Sequence, residues 1–308
     1  MAEILKAHGS RNDIFIAQMT PGDFGSDADL RDFVRALCDR SGPLGSDGIY
    51  FYDAGPVVPR AWFFNPDGSS AEFCGNGMRG LGRVVLEQRD AERAEIQSGS
   101  TRYTVSRGGT SPEGVRQIRL EHPRVDFTDI EVRISELDPS LTFTALTVPN
   151  PHLIAVVDKY VESGLVGMGE TLARRHGPNL SVLLPVAETE IFVRTFERGA
   201  GLTPSCGSGM AAARAVYSRL GHAAQEQPVI IHNAGGAAQV SLRDWRPVLQ
   251  GNATLVYRAD VDPRAPLPAV VEVEVFDAEA VAYSLFEETN VRWLTAHGIE
   301  THLPDISQ

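Results

Sequence analysis

Two cysteines attract attention because each opens the same short pattern. Cys74 begins the segment CGNGMRGLGRVV and Cys206 begins CGSGMAAARAVY, so each thiol is followed by Gly-x-Gly and an apolar run. A cysteine at a helix N-terminus lies near free N–H groups and the positive end of the helix dipole, which lower its pKa. The glycines let backbone amides approach an anion closely. The pattern therefore predicts two helix starts in two pseudo-equivalent halves, each presenting one reactive thiol.

Two such helix starts suit the inversion of an amino acid. If the halves face each other, the substrate carboxylate fits between the backbone amides of Gly75 and Asn76 and those of Gly207 and Ser208. One thiolate can then remove the α-proton while the opposing thiol delivers a proton to the other face of the α-carbon. The residues thus predict a two-base racemase or epimerase.

Other interpretations of the cysteines stay open at this point. Cys74 and Cys206 could form a disulfide, which we expect to mark an oxidised, inactive state. Neither has the Cys-x-x-Cys or His-x-x-x-His spacing of a metal site. A single-cysteine hydrolase would need only one of the two thiols, and an amino-acid-binding module would need neither. Replacing each cysteine in turn distinguishes these classes.

Cofactor chemistry has weaker support. Residues 75–80 (GNGMRG) satisfy the dinucleotide pattern G-x-G-x-x-G, but the polar segment 69–72 (SSAE) precedes them where an apolar strand is required. A pyridoxal enzyme needs a lysine for its Schiff base, and the two lysines, Lys6 and Lys159, have no motif-like setting. The sequence therefore predicts neither a cofactor nor a metal.

Composition restricts the class of protein. The 308 residues allow about two domains, each able to bury a core. Lys and Arg total 28 against 40 Asp and Glu, and this net charge of −12 disfavours a nucleic-acid or anionic-membrane binder. No apolar run approaches the ~20 residues of a membrane span. Charges interrupt the apolar pairs of residues 1–8, so we expect no signal peptide and a cytoplasmic location.

The local patterns predict an α+β fold. The segment after Ser26 repeats apolar residues at the spacing of one helix face, namely Leu30, Phe33, Val34, Leu37 and Cys38. Short apolar runs predict strands at 49–52, 60–64, 141–148, 153–157, 180–186 and 191–196, with an antiparallel meander over 94–128. Many short strands with two central helices, beginning at the two cysteines, favour α+β over an alternating α/β arrangement.

Several motifs together resemble the diaminopimelate epimerase family. The segments 65–69 (NPDGS) and 74–79 (CGNGMR) resemble its first cysteine motif, and 197–203 (ERGAGLT) with 206–209 (CGSG) resembles its second. Further similar segments follow the family's order, namely 8–9 (HG), 12–13 (ND), 46–48 (SDG), 150–152 (NPH) and 178–179 (PN). The resemblance extends over residues 1–258 and leaves the C-terminal segment unmatched.

The resemblance implies a fold and an assembly. It implies two pseudo-symmetric lobes, each a mostly antiparallel, barrel-like sheet around a central helix, with the active site in the cleft between them. We expect an N-terminal lobe at 1–122, a C-terminal lobe at 123–249, and a closing strand with a C-terminal extension at 250–308. It also implies a homodimer with a small amino acid as its partner molecule.

The resemblance further implies a role for each matching residue in converting LL-2,6-diaminopimelate to the meso form, a step of lysine and peptidoglycan biosynthesis. Cys74 and Cys206 are expected to be the acid–base pair, with His152 assisting the first thiol and Glu197 the second. The helix-start amides of Gly75, Asn76, Gly207 and Ser208 are expected to hold the carboxylate of the reacting centre. The distal amino-acid end is expected to be held by Asn12, Asn65, Asn150, Asn179, Glu197 and Arg198.

The chemistry of the substrate agrees with this set, because an arginine and several amides suit a second carboxylate and ammonium. Three departures from the family pattern are Ser10-Arg11 in place of Leu-Gly, Leu202 in place of Glu, and Gly80 in place of Cys. The unmatched tail opens with the proline-rich stretch 262–268 and has a partly helical pattern around 278–293. A racemase or epimerase of another polar amino acid, such as histidine, is therefore the alternative within the class.

Overall fold

The computed structural model describes residues 2–55, 57–262 and 269–302, which form two units. Unit 1 takes in the residues up to Leu120 together with Gly251–Phe286, and unit 2 takes in Glu121–Gln250 together with the described residues from Glu287 onward. Most of the proline-rich stretch singled out above, 263–268, lies outside the described residues. Within the described part, no helix is long and apolar enough to cross a membrane.

The elements are numbered in chain order across both units. The strands are β1 (Ala2–Gly9), β2 (Asn12–Ala17), β3 (Ile49–Asp53), β4 (Arg60–Phe64), β5 (Ser70–Ala71), β6 (Arg93–Ser98), β7 (Thr101–Thr110), β8 (Arg116–Glu121), β9 (Asp126–Val132), β10 (Phe143–Val148), β11 (Asn150–Val156), β12 (Asn179–Ala187), β13 (Glu190–Glu197), β14 (Gly201–Leu202), β15 (Val229–Asn233), β16 (Gly236–Arg243), β17 (Arg246–Asn252), β18 (Thr254–Asp262) and β19 (Ala269–Val275). The α-helices are α1 (Asp27–Cys38), α2 (Gly75–Gln88), α3 (Glu162–Ala173), α4 (Gly207–Arg219) and α5 (Asp277–Ala296).

Unit 1 is a mostly antiparallel sheet with α1 packed against one face and α2 against the other. Strand β1 pairs antiparallel with β2 and β18, β2 pairs parallel with β3, and β3 pairs antiparallel with β4. The chain then forms the short β4–β5 pair, runs through α2, and returns as β6, parallel to β4, before the β6–β7 hairpin. Tyr50 and Tyr52 of β3 face the core around α2, whereas Ile49 and Phe51 face the core around α1. This alternation is the period-two pattern of a strand buried on both faces.

Unit 2 repeats the connectivity of unit 1. Strands β10 and β11 pair antiparallel, β11 and β12 pair parallel across α3, and β12, β13 and β14 follow in antiparallel pairs. Helix α4 comes next, and then β15 runs parallel to β13 and pairs antiparallel with β16. The core around α4 is built largely of its alanines and the strand side chains packed against them. The α+β class is confirmed, and the repeated Cys-Gly-x-Gly segment occupies the same place in both connectivities.

The helices show where sequence patterns succeed and fail. Helix α1 begins where expected, with the Ser26 hydroxyl accepting the N–H of Asp29, and its buried residues are the five that the spacing predicts. Helix α3 was not predicted, because three glycines lower its helix propensity. One of them, Gly169, is required by packing, since a Cβ there would lie 2.2 Å from the Phe196 ring. Helix α3 occupies in unit 2 the position that α1 occupies in unit 1, between two parallel strands.

The C-terminal tail is helical, as its pattern indicates. In unit 1 the Glu279 carboxylate of α5 pairs with Arg83 and accepts the N–H of Leu255. In unit 2 the Trp293 ring stacks on His232 with centroids 3.5 Å apart. The tail therefore contributes to the folded core of each unit.

Candidate active site

Helix α2 begins at Cys74, and the thiol itself caps the helix. The sulfur accepts the backbone N–H of Gly77 at 3.5 Å, as an N-cap side chain does. A Cβ at Gly77 would lie 2.9 Å from Cε2 of Tyr50, so the second glycine of this motif is required by packing against β3. That requirement differs from the anion-binding role that the pattern suggested for it.

An amide oxygen faces the Cys74 thiol. The thiol donates to Oδ1 of Asn12 at 3.5 Å, and Nδ2 of Asn76 donates to the same oxygen at 3.3 Å. Nδ2 of Asn12 donates to the Asp47 carboxylate at 2.9 Å, which fixes which end of the amide points toward the sulfur. The structure thus brings together three of the predicted site residues, Asn12, Cys74 and Asn76.

Tyr50 also holds this thiol in place, although its sequence context gave no indication of it. The Cys74 N–H donates to the Tyr50 hydroxyl at 2.8 Å, and the hydroxyl lies 3.3 Å from the Cys74 carbonyl oxygen. Burial raises the pKa of Tyr50, so the phenol is neutral. It lies in an apolar strand, where a tyrosine is typical of an ordinary core residue.

Helix α4 of unit 2 begins in the same way. The Cys206 sulfur accepts the backbone N–H of Gly209 at 3.4 Å. A Cβ at Gly209 would lie 2.5 Å from the Thr195 hydroxyl, so the equivalent glycine is again required by packing. The two helix starts therefore share both the capping sulfur and the close contact with a strand.

The partner of the second thiol is a carboxylate instead of an amide. The Cys206 thiol donates to Oε2 of Glu197 at 3.2 Å, and the Thr203 hydroxyl donates to Oε1. Nη1 of the buried Arg194 holds the Thr203 carbonyl oxygen at 2.7 Å, which fixes the turn that carries Thr203. The structure thus joins Glu197 to Cys206, and it adds Thr203, which the sequence showed only as part of the motif.

The protonation of Cys206 differs from the expectation for a helix start. Burial of the side chain, and then the negative charge of Glu197, raise the pKa of the Cys206 thiol well above its ordinary value. These two effects outweigh the hydrogen bonds from Gly209 and Ser208, which lower it. Cys206 is therefore a neutral thiol in the folded unit.

His152 lies beside the second helix start. Its Nε2 is 3.0 Å from the Ser208 hydroxyl, which is in turn 3.5 Å from the Cys206 sulfur. Burial lowers the pKa of His152 to about 3, so the imidazole is neutral. Within the described residues its Nδ1 has no hydrogen-bond partner. The side chain of Ser208, predicted only for its amide, thus bridges an imidazole and a thiol.

The remaining candidates of unit 2 have different surroundings. Asn179 lies opposite His152 in the β11–β12 pair, and its Oδ1 accepts the N–H of Arg198 at 2.8 Å. The Arg198 side chain itself is exposed. Asn150 is also exposed, at the start of β11. The structure thus brings Asn179 to His152, and leaves Asn150 and Arg198 facing solvent.

Asn65 of unit 1 holds a turn. Its N–H donates to the Ser69 carbonyl at 2.8 Å and its Nδ2 to the Ser69 hydroxyl at 3.0 Å, while its carbonyl accepts the N–H of Gly68. Gly68 has a φ of +79°, which favours glycine. A role for Asn65 in binding substrate stays a prediction.

Each unit thus presents a thiol at the N-terminus of a buried helix, with an oxygen acceptor against the sulfur. A thiolate there could act as a base, and a thiol as an acid, while the helix-start amides attract a carboxylate. Among the described residues, no group of three or more His, Cys, Asp or Glu side chains is arranged to hold a metal ion.

Comparison with known proteins gives consistent results. The family model described as diaminopimelate epimerase matches residues 144–256. The diaminopimelate epimerase of Clostridium acetobutylicum is 31% identical over 92% of this chain and 93% of its own length. That of Methanopyrus kandleri is 34% identical over 83% of this chain and 88% of its own length.

Solved structures show the same fold at lower identity. A predicted epimerase from Pseudomonas aeruginosa aligns with a TM-score of 0.64 and 16% identity, over 85% of this chain and 99% of that one. A hydroxyproline epimerase from Agrobacterium vitis, with bound trans-4-hydroxy-L-proline, aligns with a TM-score of 0.61 and 12% identity, over 86% of this chain and 93% of that one.

Proposed function

Because the chain belongs to the diaminopimelate epimerase family, it is an amino-acid epimerase, and we propose that Cys74 and Cys206 are its acid and base. The reaction converts LL-2,6-diaminopimelate to the meso form by moving one α-proton, a step of lysine and peptidoglycan biosynthesis. One thiolate takes the α-proton and forms an S–H bond, and the electron pair remains on the α-carbon. The other thiol then delivers its proton to the opposite face, so the pair exchanges roles in each turnover.

The observation that carries this proposal is the matched pair of helix starts. In both units the sulfur caps a buried helix by accepting the N–H three residues later. The free amides at such a helix start stabilise negative charge, both on the thiolate and on the substrate carboxylate as charge develops at the α-carbon. A thiol that served only as a core residue, such as Cys38 on the apolar face of α1, has no such setting.

The other site residues are proposed in the roles that the family motifs give them. Glu197 orients and polarises Cys206, supported by the thiol–carboxylate hydrogen bond. The family motif assigns His152 to Cys74; the contact that His152 makes within unit 2 is to the Ser208 hydroxyl beside Cys206, and its imidazole is neutral. The amides of Gly75, Asn76, Gly207 and Ser208 hold the reacting carboxylate, and Asn12, Asn65, Asn150, Asn179 and Arg198 hold the distal end. The exposed Arg198 guanidinium suits the second carboxylate of the substrate.

The compartment and the assembly belong to the same proposal. None of the three cysteines is in a disulfide, and the chemistry requires both helix-start thiols in the reduced state, which the cytoplasm maintains. The homodimer rests on the family resemblance, and analytical ultracentrifugation measures it directly.

Proton NMR in heavy water tests the activity and the two thiols together. We expect the reduced protein to remove the α-proton signal of LL-diaminopimelate and to produce the meso form. Cys74→Ala and Cys206→Ala should each abolish epimerisation, whereas Cys38→Ala, the matched control, should retain it.

Other outcomes would reassign the function. Exchange with histidine or another amino acid alone would keep the chemistry and change the substrate. If only one of the two cysteines matters, a single-cysteine enzyme replaces the two-base mechanism. Binding without exchange, unaffected by either substitution, would indicate an amino-acid-binding module.

A further inference from the structure

Arg79 carries a buried positive charge near Cys74. It lies on α2, has no accessible surface, and uses its Nε to donate to the Asn252 carbonyl at 3.0 Å. Within the described residues, neither of its two terminal nitrogens has a hydrogen-bond partner. Burial lowers the pKa of Arg79 only to about 10, so it remains charged at neutral pH. An uncompensated buried charge is costly, so its presence calls for a partner.

The other buried arginines of the central helices do not share this arrangement. Arg83, one turn further along α2, pairs with Glu87 and Glu279. Arg214 of α4 donates to a ring of carbonyl oxygens and to the Ser218 hydroxyl. Both terminal nitrogens of Arg83 and of Arg214 have hydrogen-bond partners, whereas within the described residues those of Arg79 have none.

The guanidinium of Arg79 belongs to the same cluster as the first thiol. A Cβ at Gly9 would lie 2.4 Å from Nη2 of Arg79 and 3.1 Å from Cβ of Asn76. Asn76 shares the Asn12 amide oxygen with the Cys74 sulfur. Cys74 is also the principal group whose negative charge would favour the charged form of Arg79.

Among the described residues, the carboxylates near this cluster are paired with cations other than Arg79. Asp13 and Asp47 share Arg40, and Asp13 also pairs with Lys6. His8, adjacent to Gly9, is neutral because burial lowers its pKa to about 4, and the Tyr283 ring of α5 packs edge-on against it at 4.2 Å. Tyr50, whose hydroxyl contacts the Cys74 backbone, is a neutral phenol because burial raises its pKa.

We propose that Arg79 is the counter-cation of the Cys74 thiolate, so that Cys74 ionises more readily than Cys206 once its thiol gives up the hydrogen bond to Oδ1 of Asn12. This inference rests on the proposed function and specifies its starting state. The two thiols are set apart by opposite charges: the guanidinium of Arg79 in unit 1 and the carboxylate of Glu197 in unit 2. Cys74 is then the base for the first substrate bound, and Arg79 is a positioning residue that touches neither substrate nor reacting carbon.

Alkylation of each cysteine with iodoacetamide, quantified on its own peptide from pH 5 to 10, tests the proposal in the full chain. In the wild type, the alkylation rate of Cys74 plotted against pH should have its midpoint below pH ~8.5, the pKa of an ordinary thiol. Arg79→Met should raise that midpoint by about one to two pH units and slow alkylation at pH 7 by about three- to tenfold, because the smaller thiolate fraction is partly offset by a stronger nucleophile. Arg79→Lys should restore most of the rate, because it keeps the charge.

Matched variants separate the charge effect from a structural one. Arg89→Met removes an arginine from the other end of α2 and should leave the midpoint unchanged. Gly9→Ala keeps the arginine but displaces Nη2, and should shift the midpoint in the same direction as Arg79→Met. Should Arg79→Met fail to fold, Gly9→Ala and Arg79→Lys still decide the question.

Two results would overturn the counter-cation. One is a Cys74 midpoint in the folded Arg79→Met protein within about 0.3 pH units of the wild type. The other is a wild-type Cys74 that reacts more slowly at pH 7 than Cys206. Because alkylation does not need turnover, either result leaves the epimerase activity standing. Conversely, absence of α-proton exchange would refute the activity without changing the alkylation profiles.

Discussion

The contact between Cys206 and Glu197 makes a prediction with two readouts of opposite sign. The thiol is 6% exposed and donates to the carboxylate at 3.2 Å. Burial and the Glu197 charge together hold its pKa well above the ordinary value. Glu197→Gln removes the charge and leaves the burial, so the thiol should ionise more easily while its thiolate becomes a weaker base.

The size of the effect follows from Coulomb's law. Two unit charges about 4 Å apart interact by roughly 4 kcal/mol at an effective dielectric constant of about 20. At about 1.4 kcal/mol per pH unit, this corresponds to a fall of about three units in the Cys206 pKa for two fully buried charges at that separation. We expect a fall of about two units, because Glu197 is only half-buried. At pH 7 the fraction of Cys206 present as thiolate should rise about 100-fold. Nucleophilicity and base strength both fall with pKa, so alkylation of Cys206 should rise only about tenfold, and each thiolate should abstract a proton about tenfold more slowly.

The assay combines alkylation of the Cys206 peptide with α-proton exchange followed by NMR. Glu190→Gln is the matched control, because it removes a carboxylate from the other end of β13, where it accepts the Trp293 indole N–H. It should change neither Cys206 alkylation nor exchange. An unchanged alkylation rate in Glu197→Gln would show that burial alone raises the pKa of the Cys206 thiol. Exchange that rises by as much as the thiolate fraction, with no loss per thiolate, would refute the assignment of Cys206 as a base.

The remaining predictions concern stability. Burial raises the pKa of Cys38 to about 12 and also raises that of Cys206, so the folded chain keeps two protons that the unfolded chain releases near pH 8.5. Each thiol should therefore lower the free energy of unfolding by about 1.4 kcal/mol at pH 9.5. In urea unfolding, Cys38→Ala should remove the part of this fall that is due to Cys38. The lowered pKa of His152, about 3, has the opposite sense: its contribution is complete above pH 6.5 and falls by about 2 kcal/mol at pH 5, a loss that His152→Gln should remove from the urea profile. Gly209→Ala places a methyl group 2.5 Å from the Thr195 hydroxyl and should destabilise the chain by about 1–3 kcal/mol in thermal unfolding; an unchanged midpoint would mean that α4 can shift.

Local sequence patterns predict much of the fold. The apolar spacing after Ser26 predicts α1 and its buried face, because a helix places residues three and four apart on one side. The Cys-Gly-x-Gly repeats predict both helix starts, since capping involves residues only three apart. Helix α3 was missed because its glycines oppose local helix propensity, and Gly169 is there to admit the distant Phe196 ring.

For the site, too, some features follow from local sequence and others from tertiary contacts. The types and spacing of Cys74 and Cys206 determined that two thiols cap two helices, and hence the class of chemistry. The family motifs indicated Glu197 for the second thiol, but the other groups that face the two thiols follow from the tertiary structure. Arg79 meets the carbonyl of a residue 173 positions away, and Ser208 meets His152 across 56 positions. Burial and charge at the sulfur depend on such distant neighbours, so the protonation of each thiol follows from the packed chain and from no local pattern.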